Sequence, residues 1–490
     1  MEAAVSAIAG ELLNRLITIT LKRHINPAGQ LEKKLERLHH LLLRVHTIIE
    51  EAEARYITNS GMLVQLKMLV DGMYKGYYQL DTFKYRRELD ELIKGDESQV
   101  SSSTSSSMLF SLPVKRMRKT NSTACSMLDV LDLDSVLENV ETTVTNMKEF
   151  VILLMGCQRI QRGPYDTHLY IDSFMFGRSV EKQQIINILL EDDPPLSAPA
   201  VLPIIGGCYV GKKTLVGHAC RDNRVLSHFS SILHMNADDV QRNGPELFTR
   251  TRTLAIVEFL SDVDDDCWAR FYSSSTCMGR GSKVVIISRL ESVARFGTMK
   301  PIRLNNLPQE EYTYLFKVLS FGSTNQDEHP QLACIGMEIA KMLRGLLLSA
   351  NVIADMLRKN LSVQYWLHIL GRFRNVVESN LCEFGEHPKH LVDKRHPVDV
   401  TRFAPPSVHS SLRLMPTRVE SSTTVQIERS DATFGDLIAG SGRATALPKE
   451  FEIVIWRSRL PPYTTFVATC VKEKTQISSL SSKKRRGFYM

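Results

Sequence analysis

Apolar residues recur along the first third of the chain with a helical spacing. Val5, Ile8, Leu12, Leu16 and Ile19 fall on one side of a helix over residues 3–22, which Asn26-Pro27 and Gly29 break. The sharpest pattern follows: Leu31, Leu35, Leu38, Leu42, Val45, Ile49 and Ala52 alternate steps of four and three, the a/d seam of a coiled coil or bundle. A third helix is predicted from Met62 to Leu92 through Leu66, Leu69, Met73, Tyr77, Leu80, Tyr85 and Leu89. A fourth spans Met127 to Met155, with Leu133, Val136, Leu137, Val140, Val144, Met147 and Val151 on its apolar side. The Ser-rich run Ser98–Ser107 reads as disordered, so a helical bundle is assigned to residues 1–95 and 127–156, with a linker at 96–126. The seam must be buried within this bundle or against another chain, which makes protein contacts, self-association among them, the expected business of this part.

Beyond residue 166 the pattern shortens. Ala200–Ile205, Leu254–Phe259 and Gly281–Arg289 are apolar runs of strand length, and Leu304-Asn305-Asn306-Leu307-Pro308-Gln309-Glu310-Glu311 opens a helix predicted to end at Phe316. After Leu370 the chain reads as mostly loop, with Pro388, Pro397, Pro405, Pro406 and Pro416. Two strand-like runs, Phe451–Trp456 and Thr465–Val471 around Pro461-Pro462, predict a β-hairpin.

The stretch Ile204-Ile205-Gly206-Gly207-Cys208-Tyr209-Val210-Gly211-Lys212-Lys213-Thr214-Leu215 carries the clearest chemistry. Strand, Gly-rich turn and helix are the setting of a phosphate-binding loop. In such a loop the glycines let backbone N–H groups reach phosphate oxygens, a lysine meets the terminal phosphates, and a hydroxyl ligates Mg²⁺. Gly206, Gly211 and Lys212 fit that pattern, but Lys213 stands where the hydroxyl belongs. Leu254–Phe259 ends in one carboxylate, Glu258, as a Walker B strand would.

In order and spacing these segments resemble the NB-ARC domain of plant NLR disease-resistance proteins. Phe176-Gly177-Arg178 matches the motif that opens such domains, and the likeness runs to about Leu370 through His329-Pro330-Gln331-Leu332 and Gly345-Leu346-Leu347-Leu348-Ser349-Ala350. The helices before it resemble the coiled-coil domain of the same proteins. The resemblance implies ADP or ATP as ligand, with Gly177, Arg178, Gly206, Gly207, Gly211, Lys212, Lys213, Thr214, Glu258 and Arg289 around it. Thr214 keeps the family's second Thr, near the α-phosphate, and Arg289 its nucleotide-sensing arginine. The departures are specific. Cys208 and Tyr209 replace the loop's middle glycines, Glu258-Phe259 replaces paired aspartates, and Leu347 replaces a proline. A cation at 213 repels Mg²⁺ yet can itself neutralise phosphate, so the expectation is weak or metal-independent binding with Mg²⁺ doubtful. Of the family's acidic patch in the third bundle helix, Tyr77-Tyr78-Gln79-Leu80-Asp81-Thr82-Phe83 keeps only Asp81 as charge, and Tyr74, Tyr77 and Tyr78 read as packing. No Met-His-Asp motif and no leucine-rich period follows, so a winged helix and repeats are not expected.

The fold class is thus multidomain: an N-terminal α-helical bundle, a central α/β P-loop NTPase-like domain at 166–304 with a small helical lobe at 305–372, and a partly disordered β-rich module within 373–490. The net charge of +7 over 490 residues shows no basic stripe interleaved with aromatics, which argues against nucleic acid. Nine scattered cysteines without Cys-x-x-Cys pairs, an opening Met1-Glu2-Ala3 without a signal pattern, and no apolar run of membrane length predict a cytoplasmic protein with no transmembrane segment. Lys483-Lys484-Arg485-Arg486 reads as a solvated end, with a nuclear address the alternative. Cys382, His387, His390 and His396 lack the paired spacing of a zinc site, and Asp262, Asp264, Asp265 and Asp266 read as an acidic helix start. No metal site and no enzymatic turnover are expected. Two functions stay open: a nucleotide-dependent defence switch, or an adaptor or decoy that binds no nucleotide and works through its bundle.

Overall fold

The computed structural model describes residues 31–99, 122–159, 176–191, 198–242, 248, 250–403, 410–419, 429–440, 448–457 and 465–474. The predicted helix at 3–22, the Ser-rich run beyond Gln99 and the basic quartet at 483–486 lie outside these residues. The chain divides into two compact units, residues 1–367 with 459–463 and residues 368–458 with 464–490.

The first unit opens with helices α1 (Leu31–Glu53), α2 (Ser60–Gln99), α3 (Ser122–Thr145) and α4 (Lys148–Met155). Ser98 and Gln99 belong to α2, and α3 starts at Ser122, so the described helices take in both ends of the predicted linker. The fourth predicted helix is interrupted at Asn146-Met147. Its last turn is rich in threonine, and the Thr143 and Thr145 hydroxyls donate to the carbonyls of Asn139 and Glu141, a competition that bends or ends helices. The seam of α1 is consumed inside the chain. Leu38, Leu42, Val45, Ile49 and Ala52 are at most 4% exposed against Leu66, Leu69 and Met73 of α2 and Leu133 and Val140 of α3. Each fully buried leucine contributes about 2 kcal/mol. Of the seven seam residues only Leu31 is exposed, so the seam closes within one chain rather than against a second.

A five-stranded sheet follows, built from β1 (Ala200–Gly206), β2 (Ser231–Asn236), β3 (Thr253–Phe259), β4 (Lys283–Ser288) and β5 (Ile302–Leu304) in the order β2-β3-β4-β1-β5. All its pairings are parallel. Parallel sheets are covered on both faces, which is why these strands are continuous apolar runs. Leu202, Ile204, Leu254, Ile256, Val285 and Ile287 face α5 (Ser179–Leu190) and α6 (Lys212–Cys220). Their neighbours Val201, Ala255, Val257, Phe259, Val284 and Ile286 share the opposite core with Val240 of α8 (Ala237–Arg242) and Trp268 and Phe271 of α9 (Asp265–Ser275). The short α7 (Asn223–His228) follows α6. Asp264 stands at the N-cap position of α9 without a side-chain cap bond, and Asp262 and Asp265 pair with Arg295, so the acidic run is a helix start with a cation of its own.

Helices α10 (Gln309–Phe321), α11 (Pro330–Leu343) and α12 (Leu347–Lys359) come next. α10 runs five residues past its predicted end at Phe316, because Lys317, Ser320 and Phe321 are buried and no breaker precedes Gly322. α2 packs on α10 and α11. Tyr74 and Tyr77 of α2 meet Tyr314 at ring distances of 5.3 and 5.5 Å, and Phe176 joins them. Asp81 forms a buried ion pair of 2.7 Å with Lys317 of α10. The one acid left in that part of α2 therefore makes a contact within the chain.

Behind this aromatic cluster sits Glu311, 2% exposed in the first turn of α10. Gly177 abuts it at φ 64°, where any side chain would run into the Glu311 carboxylate. Burial pushes the Glu311 carboxyl up to about 7. Asp71 of α2 and Glu181 of α5 push the same way, while Lys67 and Arg178 oppose them.

In the second unit α13 (Val363–Phe384), which begins in the first, leads to α14 (Pro388–Asp393), β6 (Val398–Asp399), β7 (Ser410–Leu414), β8 (Arg418–Val419), β9 (Arg429–Thr433), α15 (Phe434–Ala439), β10 (Glu450–Arg457) and β11 (Thr465–Lys474). The sheet order is β6-β7-β11-β10-β9, with β8 on β11. β10 and β11 pair antiparallel as the predicted hairpin. The loop reading after Leu370 is corrected: α13 buries Phe373 and Val376, and Pro388 is the first residue of a helix, where a missing N–H costs nothing. His387 caps that helix by accepting from the Lys389 N–H at 3.1 Å.

Two outcomes follow for the first unit. Asp81→Ala removes the carboxylate partner of a buried ammonium and is expected to cost about 3–5 kcal/mol, whereas Asp81→Leu with Lys317→Met is near neutral; denaturant unfolding of the three proteins checks this. Glu311 holds its proton more tightly folded than at the ordinary 4.5, so its contribution is complete below pH 4.5 and is lost as pH rises through about 7. Glu311→Gln is expected to stabilise the protein by about 3 kcal/mol at pH 8 and by under about 1 kcal/mol at pH 5, read from melts at both pH values.

Candidate phosphate-binding site

The carboxyl ends of β1, β3 and β4 meet at one edge of the sheet, the place where open α/β folds hold ligands. The loop after β1 turns into α6 there. Gly206 leaves β1 so close to β5 that an added Cβ would lie 2.5 Å from the Leu304 carbonyl oxygen. Gly211 takes φ 90° at the N-cap of α6, which frees the helix's first N–H groups to face the loop. Between them Tyr209 sits at φ 56°. A bulky residue in that region costs roughly 1–2 kcal/mol, so the loop keeps a glycine-shaped backbone against its own sequence.

Lys212 arches back over this loop. Its Nζ donates to the carbonyls of Gly206 at 2.8 Å and Gly207 at 2.6 Å. Burial lowers its pKa to about 8, helped by the cations of Arg289 and Lys213 and opposed by Cys208 and Glu258. Lys213 binds Glu258: Nζ and Oε2 are 2.5 Å apart, with the side chains 33% and 25% exposed. Glu258 projects from the end of β3, one residue before Phe259 turns into the core. Phe259 is 1% exposed and meets Trp268 edge-on at 6.1 Å. Arg289, exposed just past β4, reaches the Leu260 carbonyl with Nε at 3.4 Å. Thr214 is exposed on the first turn of α6.

Gly177 and Arg178 come to the other side of the same strand end. Arg178 is 5% exposed and donates to the Asn305 carbonyl and, at 3.4 Å, to Glu181. Asn305 follows Leu304, whose carbonyl lies against Gly206, so the opening motif touches the loop through one peptide step. The structure thus gathers Gly206, Gly207, Gly211, Lys212, Lys213, Glu258 and Arg289 directly, leaves Thr214 solvent-facing, and sets Gly177 and Arg178 behind β5.

The donor chemistry separates the two groups that the resemblance implies. A nucleotide's phosphates fit, since the loop offers N–H groups, no side chain at its closest approach, and the ammonium of Lys212. Mg²⁺ does not fit. It needs an octahedron of oxygens, commonly one or two carboxylates with a hydroxyl and phosphates. Here the hydroxyl position is an ammonium, the one carboxylate is already bonded to it, and the second acid position is a core phenylalanine. Among the described residues no group of three or more His, Cys, Asp or Glu could hold a metal ion, and no helix is long and apolar enough to cross a membrane.

Sequence reading missed Glu311 as a functional candidate and the ion pair between positions 213 and 258. The sequence carried one signal for the second, opposite charges at the hydroxyl and Walker B positions of one loop–strand pair.

No family model matches the chain. Among curated proteins, the disease resistance protein RGA2 of Solanum bulbocastanum is 28% identical over 225 residues, 40% of this chain and 23% of the relative. RGA1 of the same plant is 25% identical over 266 residues, 48% of this chain and 27% of its own length. The disease resistance RPP13-like protein 1 of Arabidopsis thaliana is 24% identical over 387 residues, 69% of this chain and 34% of the relative. The matches thus span between about a quarter and a third of these relatives. Ordered motifs and relatives agree: the chain is related to the NLR-type disease-resistance proteins of plants.

Proposed function

We propose that the chain is an NLR-like defence-signalling protein of the cytoplasm that holds ADP or ATP weakly, hydrolyses it little or not at all, and acts through protein contacts of its helical bundle. In this reading residues 1–95 and 127–156 are the contact-making bundle, 166–304 the nucleotide domain and 305–372 its helical lobe. One observation carries the nucleotide part. The loop retains the cradle backbone, with Gly206 pressed on Leu304 and Tyr209 held in a left-handed conformation, although the sequence no longer supplies glycine at 209. Strain of that kind persists where surrounding structure over-determines it, and it clusters at ligand sites.

The lack of turnover follows from the chemistry of phosphoryl transfer. Catalysis there is positioning plus charge stabilisation, chiefly by Mg²⁺ and a residue that orients the attacking water. Neither the hydroxyl nor a free carboxylate remains. The second reading, an adaptor with an empty loop, is favoured by Lys212 itself, which places two of its three donors on the Gly206 and Gly207 carbonyls.

Thermal melting with and without ADP separates the two. ADP at roughly ten times its Kd is expected to stabilise the protein by about 1.4 kcal/mol, and Lys212→Ala to abolish the shift. The shift should be larger at pH 7 than at pH 9, because Lys212 loses its proton near 8. No shift at millimolar ADP in the unaltered protein sinks the nucleotide reading and leaves the adaptor.

A further inference from the structure

We infer that the loop takes the metal-free form of a nucleoside diphosphate, with the Lys213 ammonium standing in for the divalent cation. The inference rests on the nucleotide reading above and concerns which ionic form of the ligand the site accepts.

Three observations carry it. The Lys213 Nζ is seated on Glu258 at 2.5 Å, so the site's carboxylate is neutralised from within the chain. Asp262 and Asp265, in the acidic run beyond it, each bind Arg295 through one carboxylate oxygen, at 3.1 and 2.8 Å, on a different cation from that of the loop. The side chain at 259, which would complete a pair of acids, is packed in the core of the sheet. A divalent cation arriving with the phosphates would meet an ammonium in place of oxygen donors, and like charges at such range repel strongly.

The charge balance points to the same ligand. Lys212, Lys213 and Arg289 bring three positive charges to the loop edge and Glu258 one negative charge. Free ADP carries up to three negative charges, and its Mg²⁺ complex about one. The protein therefore supplies the neutralisation that a metal otherwise provides, and it attracts the free nucleotide more strongly than the complex. Mg²⁺ then acts as a competitor for the ligand. ATP, with one more phosphate, holds Mg²⁺ more tightly than ADP does, so rising Mg²⁺ removes free ATP first. A diphosphate preference is built in without any contact that measures the γ-phosphate.

Titration calorimetry on the full chain tests this with ADP and ATP, each in EDTA and in millimolar MgCl₂. The expected result is ADP binding in EDTA, weakened at least about threefold by MgCl₂, with a larger loss for ATP. The double variant Lys213→Thr, Glu258→Asp restores a hydroxyl and a free acid and is expected to reverse the sign, so that MgCl₂ tightens ADP. ADP binding by the unaltered protein that requires MgCl₂, or is tightened by it, overturns the inference and leaves the nucleotide reading standing. No heat with either nucleotide in either buffer overturns both. The unaltered protein alone decides between these outcomes if the variant does not fold.

Discussion

A single ion pair, Lys213 on Glu258, closes this edge of the sheet. It joins the first turn of α6 to the end of β3, the two elements from which a loop of this kind draws its metal ligands. Both partners are only partly buried, so the pair itself adds little stability. Its weight is chemical. In the reading proposed above, a protein-borne cation stands where a divalent one would be recruited, which would remove the Lewis acid of phosphoryl transfer and keep the attraction for phosphate. The remainder of the loop is consistent with that division. The backbone cradle is retained at the cost of strain at Tyr209, and Lys212 is retained over the loop carbonyls, while position 259 is given over to the core beside Trp268.

The bundle is built on the same ground. α2 lies on α10 through Tyr74, Tyr77 and Tyr314 and through the buried pair of Asp81 and Lys317. Six residues before Lys317 on α10, Glu311 crowds Gly177, and Arg178 next to Gly177 holds the Asn305 carbonyl. Asn305 continues from Leu304, the residue against which Gly206 is pressed. Bundle and loop therefore share one support, the step from β5 into α10. That step contains a carboxyl group which titrates close to neutrality because burial outweighs its neighbouring cations.

Much of this was legible in the residues, for identifiable reasons. The a/d steps from Leu35 to Ala52 admit only a buried helix face, and that face is buried. The apolar runs at β1, β3 and β4 had strand length and no alternation, which is the signature of strands covered on both sides. The hairpin of β10 and β11 was marked by the Pro461-Pro462 pair between its two strand-like runs. Tyr74 and Tyr77 were readable as packing, but not their partners Phe176 and Tyr314, since contacts between residues about a hundred or more positions apart leave no local trace. The same is true of Lys317 opposite Asp81. Helix ends were missed where side chains competed with the backbone, as at Thr143 and Thr145, or where burial carried a helix onward, as in α10. At the loop, composition revealed that the metal chemistry was altered. Only the geometry showed that Lys213 and Glu258 answer each other.

In the proposed reading an ammonium occupies the metal's role beside the phosphates. The most direct measurement is a crystal structure grown with ADP and MnCl₂, read for anomalous scattering at the end of β3. The account predicts the diphosphate over residues 206–212 with the Lys213 ammonium beside it, still within hydrogen-bond reach of Glu258, and no anomalous peak. A manganese peak ligated by Glu258, with Lys213 displaced into solvent, would contradict it.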